Sequence, residues 1–474
     1  MINFGSTFDT AVEICRMVKE AGGRAYVAGG AARDIWQNRM SLIPIDVKDI
    51  DLEVFGIKSD ALVDLLGSKW KLDVVGKAFG VIKLHGFAID VCLPRRERQE
   101  GQGHKDFSIE ADPDMTLLEA ASRRDFTINA VSWDPLEDRW EDPFMGREDM
   151  QNLTLRPVSE RFSEDPLRVL RGMQFIARFG LSPSAECVQV CSRLSQEHLP
   201  RERIWEEWKK LILRGIHIRK AMDFLLVTGW MERFYPELFA LVDSLQHPAW
   251  HPEGDVYTHT CLVVEAFTRG VFKDEEEKLV LGLAAFCHDL GKPATAVFGP
   301  TKNNPEPHWT NRGHENYIEP TERFLARLTN EATIVYQVIR IVKSHMKPMS
   351  FARDKADLSA FRRLSLVANI SQLAKMSRFD QGGRGSTKPP DEEALAWFIA
   401  QAEAAKVLYA KPVPLIFGRD LLAAFGLKPG KELGGLLAQL MEKQLAGDFF
   451  TKEEGLVLAK TLVSNISSIN ENKP

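Results

Sequence analysis

The stretch from residue 48 to residue 55, KDIDLEVF, constrains the fold of this chain more than any other part of the sequence. Apolar and polar residues alternate along it, which predicts a β-strand. Residues two apart on a strand share a face, so Asp49 and Asp51 project together while the alternate residues, from Ile50 onward, enter the core. Adjacent carboxylates repel each other unless a cation lies between them, and Mg²⁺ suits oxygen ligands. Taken alone, the pattern describes a solvated strand face more often than a metal site.

The segment just upstream, from Tyr26 to Asp34, strengthens the case for a ligand site. Its pattern predicts a short strand, a turn at Gly29 and Gly30, and a helix that opens on small residues. Glycine lets a ligand approach the backbone closely, and free N–H groups at a helix start favour phosphates. A plain strand-to-helix turn explains these residues equally well in isolation. Followed by paired carboxylates, the segment predicts a nucleoside triphosphate held by backbone amides and a metal ion.

A third carboxylate follows on a predicted hairpin. Two apolar runs, 81–84 and 87–93, flank His85-Gly86, which we interpret as a two-residue turn. Asp90 lies among apolar residues in the second run. With the two earlier carboxylates it would complete a two-metal site of the kind used for in-line attack on a phosphate.

Several blocks of sequence closely resemble the tRNA nucleotidyltransferases, the CCA-adding enzymes of the bacterial and eukaryotic type, which are related to DNA polymerase beta and to bacterial poly(A) polymerases. In chain order the blocks are Gly29–Asp34 (GGAARD), Lys48–Asp51 (KDID), Arg123–Ala130 (RRDFTINA), Asp142–Gly146 (DPFMG), Glu164–Arg171 (EDPLRVLR) and Pro200–Glu207 (PRERIWEE). They keep the order of the family. Ala32 replaces its usual valine, and the segment from Asp34 to Lys48 is several residues longer than usual.

The resemblance implies an α+β fold, with an N-terminal polymerase-beta-like domain of mixed sheet and helices followed by all-α regions. It implies that Asp49 and Asp51 are catalytic and hold Mg²⁺, with Asp90 as a candidate third carboxylate. It also implies that CTP or ATP is bound by Gly30, Arg33, Arg124, Asp125, Asn129, Glu164, Asp165, Arg168 and Arg171. Within this set, Glu164, Asp165 and Arg168 match the protein template with which the family selects its nucleotides.

The spacing of Asp165 and Arg168 has two interpretations. The run Ser163-Glu164-Asp165-Pro166 predicts a helix start, and residues three apart on a helix share a face. A carboxylate accepts hydrogen bonds and a guanidinium donates several, which is enough to read the edge of a base. The residues alone favour a surface ion pair, whereas the resemblance favours base selection.

A second group of chemistry-bearing residues lies beyond the proline-containing stretch 246–252. Adjacent His288 and Asp289 at a helix end fit a divalent metal ion, and imidazole ligands favour Mn²⁺, Ni²⁺ or Co²⁺. The string HDLGK from His288 resembles the HD phosphohydrolase superfamily, which also follows the nucleotidyltransferase in one group of bacterial CCA enzymes. The resemblance implies the ligands His259, His288, Asp289 and Asp380, and a phosphodiesterase or phosphatase activity. His314 is a weaker match, and His247, His308 and His345 are equally consistent with ordinary core histidines.

Length and composition set the remaining expectations. A chain of 474 residues exceeds what one core supports, and we expect a catalytic head (1–145), a helical neck and body (146–245), an HD domain (246–385) and a C-terminal helical tRNA-binding region (386–474). The net charge of −5 restricts any RNA-binding surface to local clusters. Six scattered cysteines without a CxxC motif, a start unlike a leader peptide and the lack of a long apolar run predict a cytoplasmic protein that does not enter a membrane.

We therefore expect a template-independent enzyme that adds CCA, or its terminal part, to tRNA 3′ ends. The charged, glycine-containing stretch 94–115 predicts a long functional loop, and in the family such a loop helps the switch from C to A addition. An A-adding specialist is the main alternative. The segment 76–81, GKAFGV, has the CCA-like form and disfavours a poly(A) polymerase, while intact Asp49, Asp51 and Arg124 disfavour an HD phosphohydrolase whose front half only binds RNA. We do not expect DNA as a partner, and the sequence leaves monomer and dimer equally open.

Overall fold

The computed structural model describes residues 5–40, 47, 49–75, 81–99, 107–302, 304–385 and 389–471. The chain divides into two compact units, one of residues 1–207 and 215–230 and the other of residues 208–214 and 231–474. Lys48, the segment 76–80 that disfavours a poly(A) polymerase, and residues 100–106 of the predicted long loop lie outside the described part. The four-segment division expected from the sequence stays a prediction.

Both helices and strands occur in the chain up to Val227. The helices are α1 (Gly5–Glu20), α2 (Gly29–Met40), α3 (Ser59–Gly67), α4 (Leu117–Ser122), α5 (Gly146–Gln151), α6 (Leu167–Phe179), α7 (Ala185–Arg193), α8 (Arg201–Arg214) and α9 (Ile218–Val227). The strands are β1 (Arg24–Ala28), β2 (Ile50–Phe55), β3 (Leu72–Val75), β4 (Val81–Leu84), β5 (Ile89–Cys92), β6 (Arg95–Gln99), β7 (Phe107–Ala111), β8 (Ser132–Asp134), β9 (Arg139–Glu141), β10 (Thr154–Leu155) and β11 (Ser182–Pro183). Short 3-10 helices cover Thr127–Asn129 and Glu160–Glu164.

A mixed seven-stranded sheet forms the centre of the first unit. Its strand order is β3-β4-β5-β2-β1-β8-β9. β2 pairs in parallel with β5 and antiparallel with β1, so the predicted carboxylate strand is an interior strand of the sheet. Ile50, Leu52 and Val54 are all buried, as the alternation predicts. Apolar residues of α1, α2 and α3 join the same core, which fixes the orientation of the polar face of β2. The α+β fold expected from the sequence is confirmed.

Three local predictions in this unit need correction. β2 begins at Ile50, so Asp49 lies just ahead of the strand and not within it. β4 ends at Leu84 and β5 begins at Ile89, so the predicted two-residue turn is longer and runs from His85 to Ala88. The predicted loop 94–115 contains an antiparallel hairpin, in which Arg95 pairs with Ala111 and Gln99 with Phe107. The strand β6 reads RRERQ and contains no apolar residue, so it resembles a polar loop in sequence, which explains the last error.

The rest of the chain is almost entirely helical. Its helices are α10 (Trp230–Phe234), α11 (Pro236–Phe239), α12 (Val256–Thr268), α13 (Glu275–Cys287), α14 (Lys292–Thr295), α15 (Glu319–Leu328), α16 (Ala332–Ser344), α17 (Lys347–Asp354), α18 (Leu358–Val367), α19 (Ile370–Gly382), α20 (Glu392–Ala404), α21 (Gly418–Phe425), α22 (Lys431–Ala446) and α23 (Lys452–Glu471). A two-stranded hairpin of β12 (Val297–Thr301) and β13 (Asn304–Thr310) precedes a 3-10 helix at His314–Asn316. Among the described helices, none has both the length and the apolar character needed to cross a membrane.

Helix α13 is the centre of the second unit. The side chain of Asp274 caps its start by accepting a hydrogen bond from the N–H of Glu277, and three glutamates in its first turn suit the positive end of the helix dipole. Every residue from Leu279 to Cys287 is buried, because α12, α16 and α19 pack around the helix. The helix ends at Cys287, and the next two residues, His288 and Asp289, are polar side chains buried in an otherwise apolar interior.

Candidate functional site

Three carboxylates come together on the first unit's sheet. Asp51 is the second residue of β2, and it lies directly opposite Asp90 in the parallel register of β2 and β5. Asp49 is exposed and lies two residues before Asp51. The side chains that alternate with them are buried in the core, which leaves the carboxylates on the opposite face. The structure therefore brings together the three acidic residues that the sequence analysis singled out.

The electrostatics of this carboxylate group fit a bound cation. The protein around Asp51 raises the pKa of its carboxyl group; the Arg124 guanidinium lowers it, and the carboxylates of Asp90, Asp49 and Glu53 raise it further. Asp90 pairs with Lys83 Nζ at 3.0 Å. Repulsion of this kind is relieved by a divalent ion with oxygen ligands, and Mg²⁺ is the ion that such a donor set suits.

Arg124 lies between the carboxylate strand and the start of α2. Its Nη2 donates to Glu53 Oε2 at 3.0 Å, and its Nη1 donates to the carbonyl of Asn129 at 3.5 Å. Gly29 has φ +64°, and a Cβ there would lie 2.6 Å from Arg124 Nη1. The backbone conformation therefore favours glycine at this position, and any Cβ would also force the Arg124 guanidinium to shift. A Cβ at Gly30 would make only an ordinary contact with Arg33, so space does not demand the second glycine.

Sequence analysis missed Glu53 as part of this site. It lies two residues beyond Asp51 and therefore on the same strand face. The two-residue spacing from Asp51 is the sequence feature that could have identified Glu53. The partner of Glu53 is far away in sequence, however, and no local pattern identifies it.

Four of the expected nucleotide-binding residues form one hydrogen-bond chain, in which all but the half-buried Arg171 are buried. Arg33 Nη1 donates to Asn129 Oδ1 at 2.5 Å, and Asn129 Nδ2 donates to Asp125 Oδ1 at 2.9 Å. Arg171 Nε donates to Asp125 Oδ2 at 2.6 Å. Burial alone would raise the pKa of Asp125, but Arg171 and the hydrogen bonds hold it below its ordinary value. The chain of contacts fixes α2, the 3-10 helix at 127–129 and α6 relative to one another.

The side chains of Asp165 and Arg168 do not pair with each other in the described hydrogen bonds and ion pairs, although the Arg168 N–H donates to the Asp165 carbonyl at 3.1 Å. Asp165 Oδ2 accepts from Arg203 Nη2 at 2.7 Å, and its Oδ1 accepts from the N–H of Leu167, just ahead of α6. The guanidinium of Arg168 donates to the carbonyls of Arg161 and Arg123, each at 2.8 Å. Exposed Glu164 ends the preceding 3-10 helix. The surface ion pair that the sequence alone favoured is therefore wrong, and both side chains are held by other parts of the unit.

A second cluster of polar residues is buried inside the second unit. His259 lies on α12, His288 and Asp289 follow α13, and Asp380 lies on α19. His259 Nε2 is 3.0 Å from Asp380 Oδ1 and 3.7 Å from Asp289 Oδ2. His288 Nε2 is 3.2 Å from Asp289 Oδ2 and 3.9 Å from Asp380 Oδ1. The structure thus brings together the four residues that are separated by as much as 121 positions in sequence.

His314 and His345 join this cluster from the opposite side of Asp289. His314 Nε2 is 3.1 Å from Asp289 Oδ1 and 3.2 Å from His345 Nε2. The potential ligand atoms of His259, His288 and Asp289 lie within 4.8 Å of one another, and so do those of Asp289, His314 and His345. Asp289 belongs to both groups, so its two oxygens can serve two ions. The sequence had left open whether His345 is a ligand or an ordinary core histidine.

Hydrogen bonds on the far side of the rings direct the ligand atoms inward. The Nδ1 atoms of His288, His314 and His345 each donate to a main-chain carbonyl, at 2.9, 2.8 and 2.7 Å. This arrangement fixes the tautomer, so each Nε2 presents a lone pair to the cluster. His259 differs, because its Nδ1 contacts Glu253 Oε1 at 2.7 Å, and the same oxygen contacts His251 Nδ1 at 2.9 Å. Glu253 is a second functional candidate that sequence reasoning missed.

One buried imidazole nitrogen supports metal binding at this cluster. His288 Nε2 is buried and lacks a hydrogen-bond partner among the described residues, whereas Asp289 Oδ2 forms an ion pair with Lys292 Nζ at 2.7 Å. Burial would lower the pKa of His259, but its contacts with Asp380 and Glu253 raise it to about 9. Burial and the neighbouring His288 and His314 lower the pKa of His345 to about 4. Imidazoles and carboxylates so arranged fit a divalent transition metal.

Comparison with known proteins identifies close relatives. Residues 25–156 match the family model of the poly A polymerase head domain. A multifunctional CCA protein of Tolumonas auensis is 30% identical over 405 residues, which cover 82% of this chain and 92% of that protein. A multifunctional CCA protein of Mannheimia succiniciproducens is 34% identical over 279 residues, and this match covers 57% of this chain and 64% of that protein.

Solved structures share the fold along nearly the whole chain. The Bacillus stearothermophilus CCA-adding enzyme in complex with CTP is 18% identical with a TM-score of 0.67, and the match covers 99% of this chain and 100% of that one. The Thermotoga maritima CCA-adding enzyme complexed with tRNA_CCA is also 18% identical, with a TM-score of 0.56 and coverage of 97% and 96%. At these identities the comparison establishes the fold.

Proposed function

The chain belongs to the family of multifunctional CCA proteins, and on that premise we propose that it is a tRNA nucleotidyltransferase that adds CCA to tRNA 3′ ends without a nucleic-acid template. CTP and ATP are its nucleotide substrates. The observation that carries the proposal is the side-by-side placement of Asp51 and Asp90 on parallel strands, with Asp49 two residues away. A-adding specialists share this site, so an enzyme that adds only the terminal A is the alternative.

The three carboxylates hold Mg²⁺. When bound, the metal lowers the pKa of the tRNA 3′-hydroxyl and stabilises the triphosphate and the leaving pyrophosphate. The protein contributes position and charge: Asp51 and Asp90 are fixed by the sheet, and Glu53 orients Arg124 beside them. Backbone N–H groups at the start of α2, including that of Gly30, suit phosphate oxygens. Most of the acceleration comes from orientation and charge stabilisation.

Nucleotide choice rests on the start of α6. Asp165 and Arg168 read the base edge of CTP or ATP, and exposed Glu164 lies beside them. The hydrogen-bond chain of Arg33, Asn129, Asp125 and Arg171 positions α6 relative to α2, so these residues contribute by holding the selecting face beside the phosphate site. The sequence analysis expected these residues to bind the nucleotide directly. Arg33, which is 4% exposed, instead contributes by positioning the elements around the nucleotide.

A second activity belongs to the cluster in the second unit. We propose that His259, His288, Asp289 and Asp380, joined by His314 and His345, hold Mn²⁺, Ni²⁺ or Co²⁺ and hydrolyse 2′,3′-cyclic phosphates and small phosphate esters. The observation that favours this function is the convergence of buried imidazole and carboxylate ligand atoms: those of His259, His288 and Asp289 lie within 4.8 Å of one another. A bound ion of this class supplies an activated water and charge stabilisation for hydrolysis. The protein keeps the imidazoles in the right tautomer through the carbonyls behind them.

For the wider organisation we propose the four segments expected from the sequence. Residues 1–145 form the catalytic head, 146–245 the neck and body, 246–385 the HD domain and 386–474 a helical tRNA-binding region. The six cysteines are free thiols, which suits the reducing cytoplasm where tRNA is processed.

The test of the proposed function uses three tRNA transcripts that end at the discriminator base, at C or at CC. Each transcript is offered CTP and ATP separately and together with Mg²⁺. A CCA-adding enzyme completes all three transcripts when both nucleotides are present. Extension of the CC-ending transcript alone identifies an A-adding specialist, and a long tail from ATP alone identifies a poly(A) polymerase.

A further inference from the structure

A cavity of about 490 Å³ opens over the buried cluster of the second unit. Asp289, His314, His345 and Asp380 contribute to its lining, so the proposed metal site lies at its base. A volume in this range is typical of sites for small organic ligands. Hydrolysis at the cluster requires only the phosphate group of the substrate. The rest of the cavity can hold the organic group to which that phosphate is bonded.

Cationic side chains line the cavity beside the cluster. Lys292 is buried, and its Nζ lies 2.7 Å from Asp289 Oδ2. Arg384 also lines the cavity; its Nε is buried and has no hydrogen-bond partner in the described part of the chain. An unpartnered guanidinium N–H next to a metal site favours a ligand oxygen that carries negative charge. These groups indicate an anionic ligand.

Another part of the lining is aromatic. Trp309 on β13 lies opposite Phe298 on β12, and their ring centroids are 5.2 Å apart, so the hairpin supports the indole. Trp250, 59% exposed, lines the same cavity. The neighbouring His308 and His247 rings pack edge to face at 4.7 Å. A flat aromatic side chain can stack on any of the nucleobases, because every base has a π-face.

We propose, on the basis of the hydrolytic function assigned above, that Trp309 and Trp250 are specificity-determining residues that stack on the base of a nucleoside phosphate whose phosphate lies at the metal cluster. The cavity then has a phosphate end, formed by the cluster with Lys292 and Arg384, and a base end, formed by the aromatic wall of the β12–β13 hairpin and Trp250. Simple phosphate esters fill only the phosphate end. Nucleoside 2′,3′-cyclic phosphates fill both ends and are the preferred substrates.

The experiment compares two substrates that differ only in the base. The full-length protein is supplied with Mn²⁺ and either adenosine 2′,3′-cyclic phosphate or the 2′,3′-cyclic phosphate of methyl riboside. Trp309→Ala is expected to lower kcat/KM for the adenosine substrate by about tenfold or more, the range for loss of one stacked base, and to leave the riboside substrate unchanged. Trp250→Ala is expected to act in the same direction. Trp309→Phe keeps an aromatic face and restores most of the activity.

A control variant and a binding measurement separate the outcomes. Tyr336→Ala removes an exposed aromatic ring of α16 that does not line the cavity, and it should leave both substrates unaffected. Equal losses on both substrates in Trp309→Ala, or no loss, would overturn the base-stacking proposal. Absence of hydrolysis by the wild type would instead contradict the hydrolytic function. Calorimetric binding of adenosine 3′-monophosphate to wild type and Trp309→Ala then still decides the stacking proposal, which requires weaker binding by the variant.

Discussion

Asp51 is placed where several negative charges converge, since Asp49, Asp90 and Glu53 all raise the pKa of its carboxyl group. We predict that Asp51→Asn, like Asp49→Ala, abolishes nucleotide addition, with a loss of at least about a hundredfold, because metal stabilisation of the phosphoryl group is worth several kcal/mol. Folding should be unaffected or improved, since one repelling charge is gone. Single-turnover extension of tRNA and a thermal melt measure the two effects.

The matched control for Asp51→Asn is Asp64→Asn, which removes an exposed carboxylate on α3 of the same unit. This variant should extend tRNA at the wild-type rate and have the wild-type melting temperature. Near-normal extension by purified Asp51→Asn would remove this residue from the catalytic assignment.

In the second unit, Glu253 lies behind one of the proposed metal ligands, with its Oε1 2.7 Å from His259 Nδ1. A carboxylate behind a metal-binding imidazole orients the ring and increases its basicity. We predict that Glu253→Gln weakens Mn²⁺ or Ni²⁺ binding by about 10–100-fold, as loss of such outer partners generally does. Calorimetric titration of the full-length protein with the metal measures the effect.

Glu322→Gln, an exposed change on α15, serves as the control for Glu253→Gln. Metal affinity equal to wild type in both variants would show that Glu253 does not position His259.

At the level of elements, we propose that the start of α6 selects the nucleotide. Asp165 is held by Arg203 and Arg168 by two carbonyls, so both side chains have fixed positions before a base arrives. We predict that Asp165→Ala or Arg168→Ala raises incorporation of UTP and GTP relative to CTP and ATP by about tenfold or more, since good base-edge hydrogen bonds discriminate by about 1–3 kcal/mol. Arg178→Ala, near the other end of α6, should keep the wild-type preference. Unchanged discrimination in both test variants would leave the pair with a structural role only.

Local periodicity predicted the elements that carry the first site. The alternation around Asp51 gave the strand, because it is decided by neighbours in sequence. The two glycines marked the start of α2, although the helix begins at Gly29 itself and not after a separate turn. The β6–β7 hairpin was missed, since β6 reads RRERQ and contains no apolar residue that would mark it as a strand. Exact strand ends were also off by one or two residues, as at Ile50 and Ile89.

Long-range contacts explain what could not be predicted about the sites. Glu53 meets Arg124 across 71 residues, and His314 meets His345 across 31, so no local pattern identifies either pair. Glu253 lies only six residues before His259, but only the folded turn before α12 aims its carboxylate at that ring. The HD string itself was visible because its two ligands are adjacent in sequence.

For the whole molecule, the two proposed sites lie in separate compact units and use different ligand types. We predict that Asp289→Ala abolishes metal-dependent hydrolysis of 2′,3′-cyclic phosphates and leaves tRNA extension within about twofold of wild type, within the scatter usual for independent sites. Asp51→Asn should have the converse effect. Both activities are measured on the same preparations. An Asp289→Ala protein that loses both activities together would indicate a structural role for this residue.

The central claim is that the carboxylates on β2 and β5 direct addition of a defined CCA sequence to tRNA. The most direct measurement incubates a tRNA transcript that ends at the discriminator base with all four nucleoside triphosphates and Mg²⁺, and then sequences the 3′ ends of the products. Wild-type protein should yield tRNA that ends in CCA and stops there, and Asp51→Asn should yield unextended transcript. Products that carry a homopolymer tail or a different sequence, or extension that persists in Asp51→Asn, would contradict the claim.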